Sequence, residues 1–171
     1  MKFPRCIRLD ASDLNIYARA AEPGEWLVPG GFAYADCDPD RLERKARLAF
    51  HSAWLGTESF GHSTLATVAE IDPAGFEQVV ERLARHFVDS YGAPGLEAAR
   101  PVARAEAEEA AALCQHKVHS LLALEREMTE EGVVERFRVI TPARAQDHAK
   151  VWEIVPDDDE EDDGDGGTGE S

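Results

Sequence analysis

The feature that most restricts how this 171-residue chain can fold is an acidic run near its C-terminal end. Residues 157–163 read Asp-Asp-Asp-Glu-Glu-Asp-Asp, and residues 156–171 carry nine of the 34 acidic side chains without one aliphatic or aromatic anchor. Such a segment repels itself and has no apolar surface to offset the entropy lost on ordering. We therefore expect a disordered acidic tail at residues 156–171 and a single domain at residues 1–155.

Charge and cysteine content restrict the class of protein. Residues 1–155 hold 25 acidic against 18 basic side chains, a formal charge of −7, compared with −16 for the whole chain. A mildly acidic domain disfavours nucleic acid as a partner, because phosphate binding depends largely on Lys and Arg. The three cysteines, Cys6, Cys37 and Cys114, do not match a disulfide-built secreted domain, so we expect free thiols in a reducing compartment.

The N-terminal segment and the hydropathy pattern favour a cytoplasmic location. Residues 1–8 place Arg and Pro where a signal peptide needs an apolar stretch. No window approaches the roughly 20 apolar residues of a membrane span. We therefore predict a cytoplasmic protein that binds no membrane.

Turn residues divide the first third of the chain into short segments. Pro and Gly occur together at residues 22–24 and 29–31, where Pro fixes φ and Gly supplies a positive φ. These turn residues predict a small antiparallel meander. We expect its strands at residues 3–9, 14–18, 26–28 and 31–34.

Two predicted helices begin with Asp at the N-cap and Pro at the first helical position. The first follows Asp38, carries apolar side chains as far as Trp54, and has Gly56 after its end. The second follows Asp72 and stops at Gly92. Its apolar side chains recur with helical spacing at Phe76, Val79, Val80, Leu83, Phe87 and Tyr91.

The remaining pattern predicts a third helix and further strands. An Ala/Glu-rich segment at residues 96–114 favours a helix that Pro101 kinks or opens. In the last expected hairpin, Glu135 shares a face with three apolar side chains, so the alternation is partial. The fold class is therefore α+β, a mainly antiparallel sheet of about five to seven strands packed with about three helices. The later strands are expected at residues 60–71, 121–128, 133–140 and 151–155, with a four-residue turn at 129–132.

The densest group of metal-binding side chains is Cys114, His116 and His119. Zn²⁺ takes Cys sulfur and His nitrogen in tetrahedral sets, but the two histidines share a face only if the helix continues that far. The alternative interpretation is a buried Cys that closes a helix, with His116 at a helix C-terminus, where positive charge is favoured. The incomplete ligand set favours this second interpretation. A fourth ligand would have to be Cys37, His51 or His62.

No group of residues indicates catalysis. Cys37 precedes a helix start that would lower its pKa, but Asp36 and Asp38 oppose thiolate formation. A lone His62 at a strand start is a weak indication of a general base. No glycine motif for phosphate binding occurs. We therefore expect no catalytic residues and no cofactor, apart from Zn²⁺ in the metal-binding alternative.

Large rigid side chains near the turn at residues 29–31 predict a partner-binding surface. Aromatic side chains left exposed anchor protein partners, whereas we expect most of the large aromatic side chains of this chain to belong to the core. The acidic tail could act as an electrostatic handle for a basic partner or keep the protein soluble. The residues expected to bind a partner are Trp26, Pro29, Phe32 and Tyr34.

A family resemblance rests on several short segments: RLDASD at residues 8–13, AAEPGEW at 20–26, VPG at 28–30, KAR at 45–47, AF at 49–50, LG at 55–56 and STL at 63–65. Over residues 3–155 the chain resembles a small family of uncharacterised proteobacterial proteins, a domain of unknown function. Its members are encoded beside a biotin/lipoate-protein-ligase-like protein and among genes for molybdenum-dependent formate dehydrogenase and its maturation.

The resemblance implies an accessory or assembly role and identifies no catalytic residue. Our hypothesis is a non-enzymatic accessory protein that binds a formate dehydrogenase subunit or maturation factor. The alternative is a small metal-binding or metal-dependent protein that uses Cys114, His116 and His119.

Overall fold

The computed structural model describes residues 1–142 and 152–156, with side chains through residue 140. The strands are β1 (Lys2–Ile7), β2 (Leu27–Val28), β3 (Trp54–Gly56), β4 (His62–Ser63), β5 (Leu65–Glu70), β6 (Leu121–Thr129), β7 (Gly132–Pro142) and β8 (Trp152–Pro156). The α-helices are α1 (Ser12–Ile16), α2 (Arg44–Ser52), α3 (Pro73–Tyr91) and α4 (Leu96–Ala112). Two short 3₁₀ helices, Gly31–Tyr34 and Pro39–Arg41, precede α2.

Two antiparallel sheets form the frame of the fold. The larger sheet has the strand order β1-β5-β6-β7-β8, and the smaller has the order β2-β3-β4. An isolated bridge between Arg5 and Trp26 joins β1 to the segment before β2, so the two sheets meet along β1. Antiparallel sheets packed with helices confirm the predicted α+β class.

The apolar core has two main parts. In the first, α3 and α4 pack against each other and against Phe3 of β1. Small side chains on α4 allow this close approach, as the sequence predicted. In the second, between the two sheets, the ring centroid of Trp54 lies 5.6 Å from that of Phe137. The buried alanines of α4 are Ala99, Ala103, Ala107 and Ala110.

The predicted helix at residues 73–91 is confirmed as α3, and its ends have the expected chemistry. The Asp72 side chain accepts a hydrogen bond of 2.7 Å from the backbone N–H of Gly75. Gly92 follows the last turn in the left-handed region, with φ 73°. No helix in the described part of the chain is long and apolar enough to cross a membrane.

Two strand predictions in the first third of the chain are wrong. The segment expected as a strand at 14–18 lies mostly in α1, because the Asp10 side chain accepts the backbone N–H of Ser12 at 2.9 Å and starts a helical turn. The segment expected as a strand at 31–34 is a 3₁₀ helix that follows Gly30, which has φ 83°. The expected local meander does not form, since β1 pairs with β5.

The helix expected from Pro39 to Trp54 is divided. Asp38 caps only the short 3₁₀ helix, and the chain becomes extended at Leu42, with ψ 148°. α2 ends at Ser52, and Trp54 begins β3 with a fully buried side chain. Burial of this large aromatic between the sheets outweighs continuation of the helical pattern.

The predicted hairpin and last strand are confirmed, with a shorter loop. β6 and β7 pair as far as Thr129 and Gly132, so only residues 130–131 lie between the strands. β8 pairs antiparallel with β7. The strand expected at residues 60–71 is divided into β4 and β5. The expected acidic tail lies outside the described residues from position 157 onward.

Candidate protein-binding groove

A groove lies between the C-terminal part of α2 and the β6–β7 hairpin, and we call it the α2–hairpin groove. It exists because β5 pairs with β6 only at residues 121–123, so the rest of β6 extends beyond β5 and packs against α2. The cavity has a volume of about 300 Å³. Its lining residues are His51, Ser52, Glu125, Arg126, Glu127, Val134 and Arg136.

Arg126 of β6 fixes one wall of the groove. Its side chain is fully buried, and Nη1 donates a hydrogen bond of 2.6 Å to the carbonyl oxygen of Phe50. Longer bonds of 3.4 Å reach the carbonyls of Ala49 and Ala53. These carbonyls belong to the last turn and end of α2, where intrahelical partners run out. Arg126 therefore caps α2 and holds it against the hairpin.

The same guanidinium joins two further parts of the fold. Nη2 donates to the carbonyl oxygen of Pro29 at 2.6 Å, and Nε donates to Glu135 Oε2 at 3.0 Å. The ring of Tyr34 lies 5.2 Å from the guanidinium carbon, within range of a cation–π interaction. The buried positive charge thus has a carboxylate, an aromatic face and several carbonyl oxygens around it.

Glu135 explains the partial alternation of β7. It lies opposite Arg126 in the hairpin register and faces the interior with it. The carboxylate lies so close to Gly31 that a Cβ there would be 2.7 Å from Oε2. Glu106 of α4 lies near this carboxylate, and burial, followed by the charges of Glu109 and Glu135, raises the pKa of Glu106 to about 7.

A second link joins α2 to β6 at the groove. Nδ1 of His51 lies 3.0 Å from the carbonyl oxygen of Arg126, so the Nδ1–H tautomer donates to it. The side chain and the backbone carbonyl of Arg126 therefore both form hydrogen bonds with the end of α2. The groove is therefore preformed.

Exposed apolar and basic side chains lie in the groove and on the turns of α2 that precede it. Leu48, one turn before the lining residues of α2, and Val134 of β7 are each 37% exposed. Arg44, Lys45 and Arg47 are exposed on α2. On the hairpin side, cross-strand ion pairs cover the sheet, as in the 3.1 Å contact of Arg136 with Glu127.

The buried carboxylate of Glu25 has a structural role. It accepts hydrogen bonds of 2.6 to 2.9 Å from the backbone N–H groups of Glu22, Glu58 and Ser59 and from the Ser59 hydroxyl. These bonds join two turns that lie far apart in sequence. Gly56 is needed beside them, because a Cβ at that position would overlap the Glu25 carboxylate.

The fold uses the predicted partner-binding residues, Trp26, Pro29, Phe32 and Tyr34, for packing. Pro29 is buried, and the aromatic side chains are half-buried. The ring centroid of Trp26 lies 6.0 Å from Phe3, and that of Phe32 lies 4.9 Å from Phe87. Pro29 and Tyr34 meet at Arg126. Their role in partner binding stays a prediction.

The predicted zinc ligands lie near the end of α4. Burial raises the pKa of Cys114 to about 12. α4 ends at Ala112, so no helical face aligns His116 with His119, and His119 is exposed with φ 78°. Among residues whose side chains are described, no three His, Cys, Asp or Glu converge as a metal site requires. Zinc binding stays a prediction.

The two residues considered for catalysis, His62 and Cys37, have shifted pKa values. Burial, followed by the positive charge of Arg126, lowers the pKa of His62 to about 4. Burial and then the charge of Asp38 raise the pKa of the Cys37 thiol, which agrees with the expected effect of the neighbouring aspartates.

The fold and the groove define a small α+β protein with a rigid, partly apolar and partly charged concave surface. The chain belongs to DUF6505, a family of unknown function, whose family model matches residues 1–154. This membership confirms the resemblance to a domain of unknown function. No curated protein and no solved structure matches the chain.

Proposed function

We propose that the protein is a non-enzymatic accessory or assembly factor of the cytoplasm that binds another protein through the α2–hairpin groove. The observation that carries this proposal is the composition of the groove. Exposed Val134 lines a cavity of about 300 Å³ with His51 and Ser52 of α2. The preceding turns of α2 carry exposed Leu48 and the exposed basic residues Arg44, Lys45 and Arg47. An apolar centre with a polar rim is typical of protein–protein interfaces.

The rigidity of the groove supports the proposal. A preformed surface loses less conformational entropy on binding than one that must order. Arg126 donates to carbonyls of α2 and of Pro29 and to Glu135, so its hydrogen-bonding groups are engaged within the fold. Its contribution is to position α2 against the hairpin.

The side chains in and beside the groove indicate which kind of partner surface would bind there. A complementary surface would insert an apolar side chain between Leu48 and Val134 and bring carboxylates near Arg44, Lys45 and Arg47. The family resemblance supports a subunit or maturation factor of a molybdenum-dependent formate dehydrogenase system as this partner. The free cysteines support the cytoplasmic location.

Copurification from the native host tests the proposal. The tagged full chain is purified at low salt beside a variant in which Leu48→Glu and Val134→Glu place charge in the groove. We expect a formate dehydrogenase subunit or maturation factor to copurify with the unmodified chain. The amount recovered with the groove variant should be about tenfold lower, which corresponds to a loss of about 1.4 kcal/mol of binding free energy.

The matched control combines Val102→Glu on α4 with Leu14→Glu on α1, which places the same two charges at sites that are each 56% exposed. It should recover as much partner as the unmodified chain. Recovery of no protein of the formate dehydrogenase system would refute the proposed partner. Equal recovery by the groove variant and the control would refute the proposed surface.

A further inference from the structure

A second cavity lies at the end of β1, and we call it the β1–α1 cavity. Ile7, the last residue of β1, pairs with Leu65, the first residue of β5, and the turn that follows β1 lines the cavity together with the start of α1. The cavity has a volume of about 230 Å³ and shares no lining residue with the α2–hairpin groove. Its polar lining residues are Arg8, Asp10, Ser12, Asp13 and Thr64.

Arg8 brings a positive charge to the β1–α1 cavity. Its Nη2 donates a hydrogen bond of 2.6 Å to the carbonyl oxygen of Ala21, and within the described residues this is the only hydrogen bond of the guanidinium. The Nε atom is buried without a hydrogen-bond partner in the same part of the chain. No carboxylate among the described side chains forms an ion pair with Arg8. A guanidinium has five N–H donors in a fork that matches a carboxylate, so Arg8 keeps donors for an anionic group.

Two carboxylates line the same cavity, and neither pairs with a cation of the described side chains. Asp13 is 5% exposed and accepts hydrogen bonds from the hydroxyl of Thr64 at 2.6 Å and from its backbone N–H at 3.2 Å. The Tyr17 hydroxyl in turn donates to the Thr64 hydroxyl oxygen at 2.8 Å, which fixes this wall. Asp10 is exposed and accepts the backbone N–H of Ser12 at 2.9 Å. A carboxylate has about four acceptor positions, so both aspartates keep some for a further donor.

The cavity therefore presents charges of both signs that are not joined to each other. A simple anion bound to Arg8 would lie near two carboxylates, and a simple cation bound to the aspartates would lie near a guanidinium, so each would meet a like charge. A molecule that carries both charges matches all three side chains. A carboxylate accepts two parallel bonds from a guanidinium, and an ammonium group has three donors for carboxylate oxygens.

The volume and the apolar walls restrict the ligand further. At roughly 30 Å³ for each non-hydrogen atom, the share of a water molecule in the liquid, a cavity of about 230 Å³ holds roughly seven or eight such atoms. A short apolar side chain beside the two charged groups fits both the volume and the walls, and L-valine has this size. The apolar lining residues are Ile7, Leu9 and Leu65.

We infer that the β1–α1 cavity binds a free α-amino acid with a short apolar side chain. Arg8 binds the carboxylate of the ligand, and Asp10 and Asp13 bind its ammonium group. The apolar lining residues contact the side chain of the ligand. This site does not depend on the proposed function, since the cavity and the α2–hairpin groove have no lining residue in common.

Titration of the isotope-labelled full chain with L-valine, followed by its backbone amide NMR signals, tests the inference. We expect shifts at residues 7–13 and 63–65 that saturate with a dissociation constant of about 1 mM or lower. Two analogues each lack one charge, since isovalerate has no ammonium group and isobutylamine has no carboxylate. Each analogue should bind at least about tenfold more weakly than L-valine, because it leaves charged groups of the cavity unpaired.

Two variants identify the charged groups involved. Arg8→Gln should weaken L-valine binding at least about tenfold and remove its advantage over isobutylamine. Asp10→Asn, at an exposed site, should weaken L-valine binding about threefold and reduce its advantage over isovalerate. The matched controls Arg85→Gln and Asp89→Asn make the same charge changes at exposed sites of α3 and should bind L-valine as the unmodified chain does.

Three results would overturn the inference. The first is the absence of shifts at residues 7–13 and 63–65 at about 20 mM L-valine, where a site of the expected affinity would be nearly saturated. The second is equal affinity for L-valine and either analogue, a comparison that needs no variant. The third is undiminished L-valine binding by Arg8→Gln. These results concern a small ligand and the chain alone, so they are distinct from failure of the copurification.

Discussion

Replacement of Glu106 by Gln should stabilise the protein at high pH and have little effect at low pH. Burial and the charges of Glu109 and Glu135 raise the pKa of Glu106 from 4.5 to about 7. The folded state therefore binds more protons than the unfolded state between these values, and the free energy of unfolding falls as pH rises through them. The full effect between about pH 5 and about pH 8 is roughly 2.5 kcal/mol.

Glu106 is partly exposed, so water screens its charge and reduces the effect. We expect Glu106→Gln to raise the free energy of unfolding at about pH 8. This gain should exceed the effect of the same substitution at about pH 5 by about 1 to 2.5 kcal/mol. Urea unfolding at both pH values measures this difference. Glu108→Gln makes the same charge change at an exposed site of the same helix and should show no comparable pH dependence. Equal effects of Glu106→Gln at the two pH values would refute the reasoning.

Two further substitutions test the buried charges by urea unfolding. Arg126→Leu should lower the free energy of unfolding by about 3 to 5 kcal/mol, because it removes the hydrogen bonds to the α2 carbonyls and leaves the half-buried Glu135 without its partner. Adding Glu135→Leu should recover part of this loss. A double variant no more stable than Arg126→Leu would contradict the pairing. Glu25→Gln should cost about 1 to 3 kcal/mol, because an amide NH₂ would face the donors that the carboxylate accepts. Exposed Glu22→Gln is its control, and equal stabilities of these two variants would contradict the role of the carboxylate.

Elements with strong local signals could be predicted from the sequence. α3 has an N-cap Asp, a first-turn Pro, a long apolar period and a left-handed Gly, and all of these act within the helix itself. The hairpin was predictable for the same reason, since its strands and loop are continuous in sequence. The α+β class followed from the order of these elements.

The first third of the chain could not be predicted, because its structure depends on distant residues. β1 pairs with β5 more than 50 residues later, and Trp54 leaves the helical pattern to pack against Phe137. The end of α2 is set by Arg126, a residue that no local pattern connects to it. Local propensity is a weak prior where tertiary contacts decide the conformation.

One feature of the sequence indicates the ion pair beside the groove. Glu135 interrupts an apolar strand face, and the hairpin register places Arg126 opposite it. A carboxylate on a buried strand face requires a cation, so the pair could have been predicted from the register. Its carbonyl partners in α2 and at Pro29 could not, since they are brought there by the packing of α2 on β6.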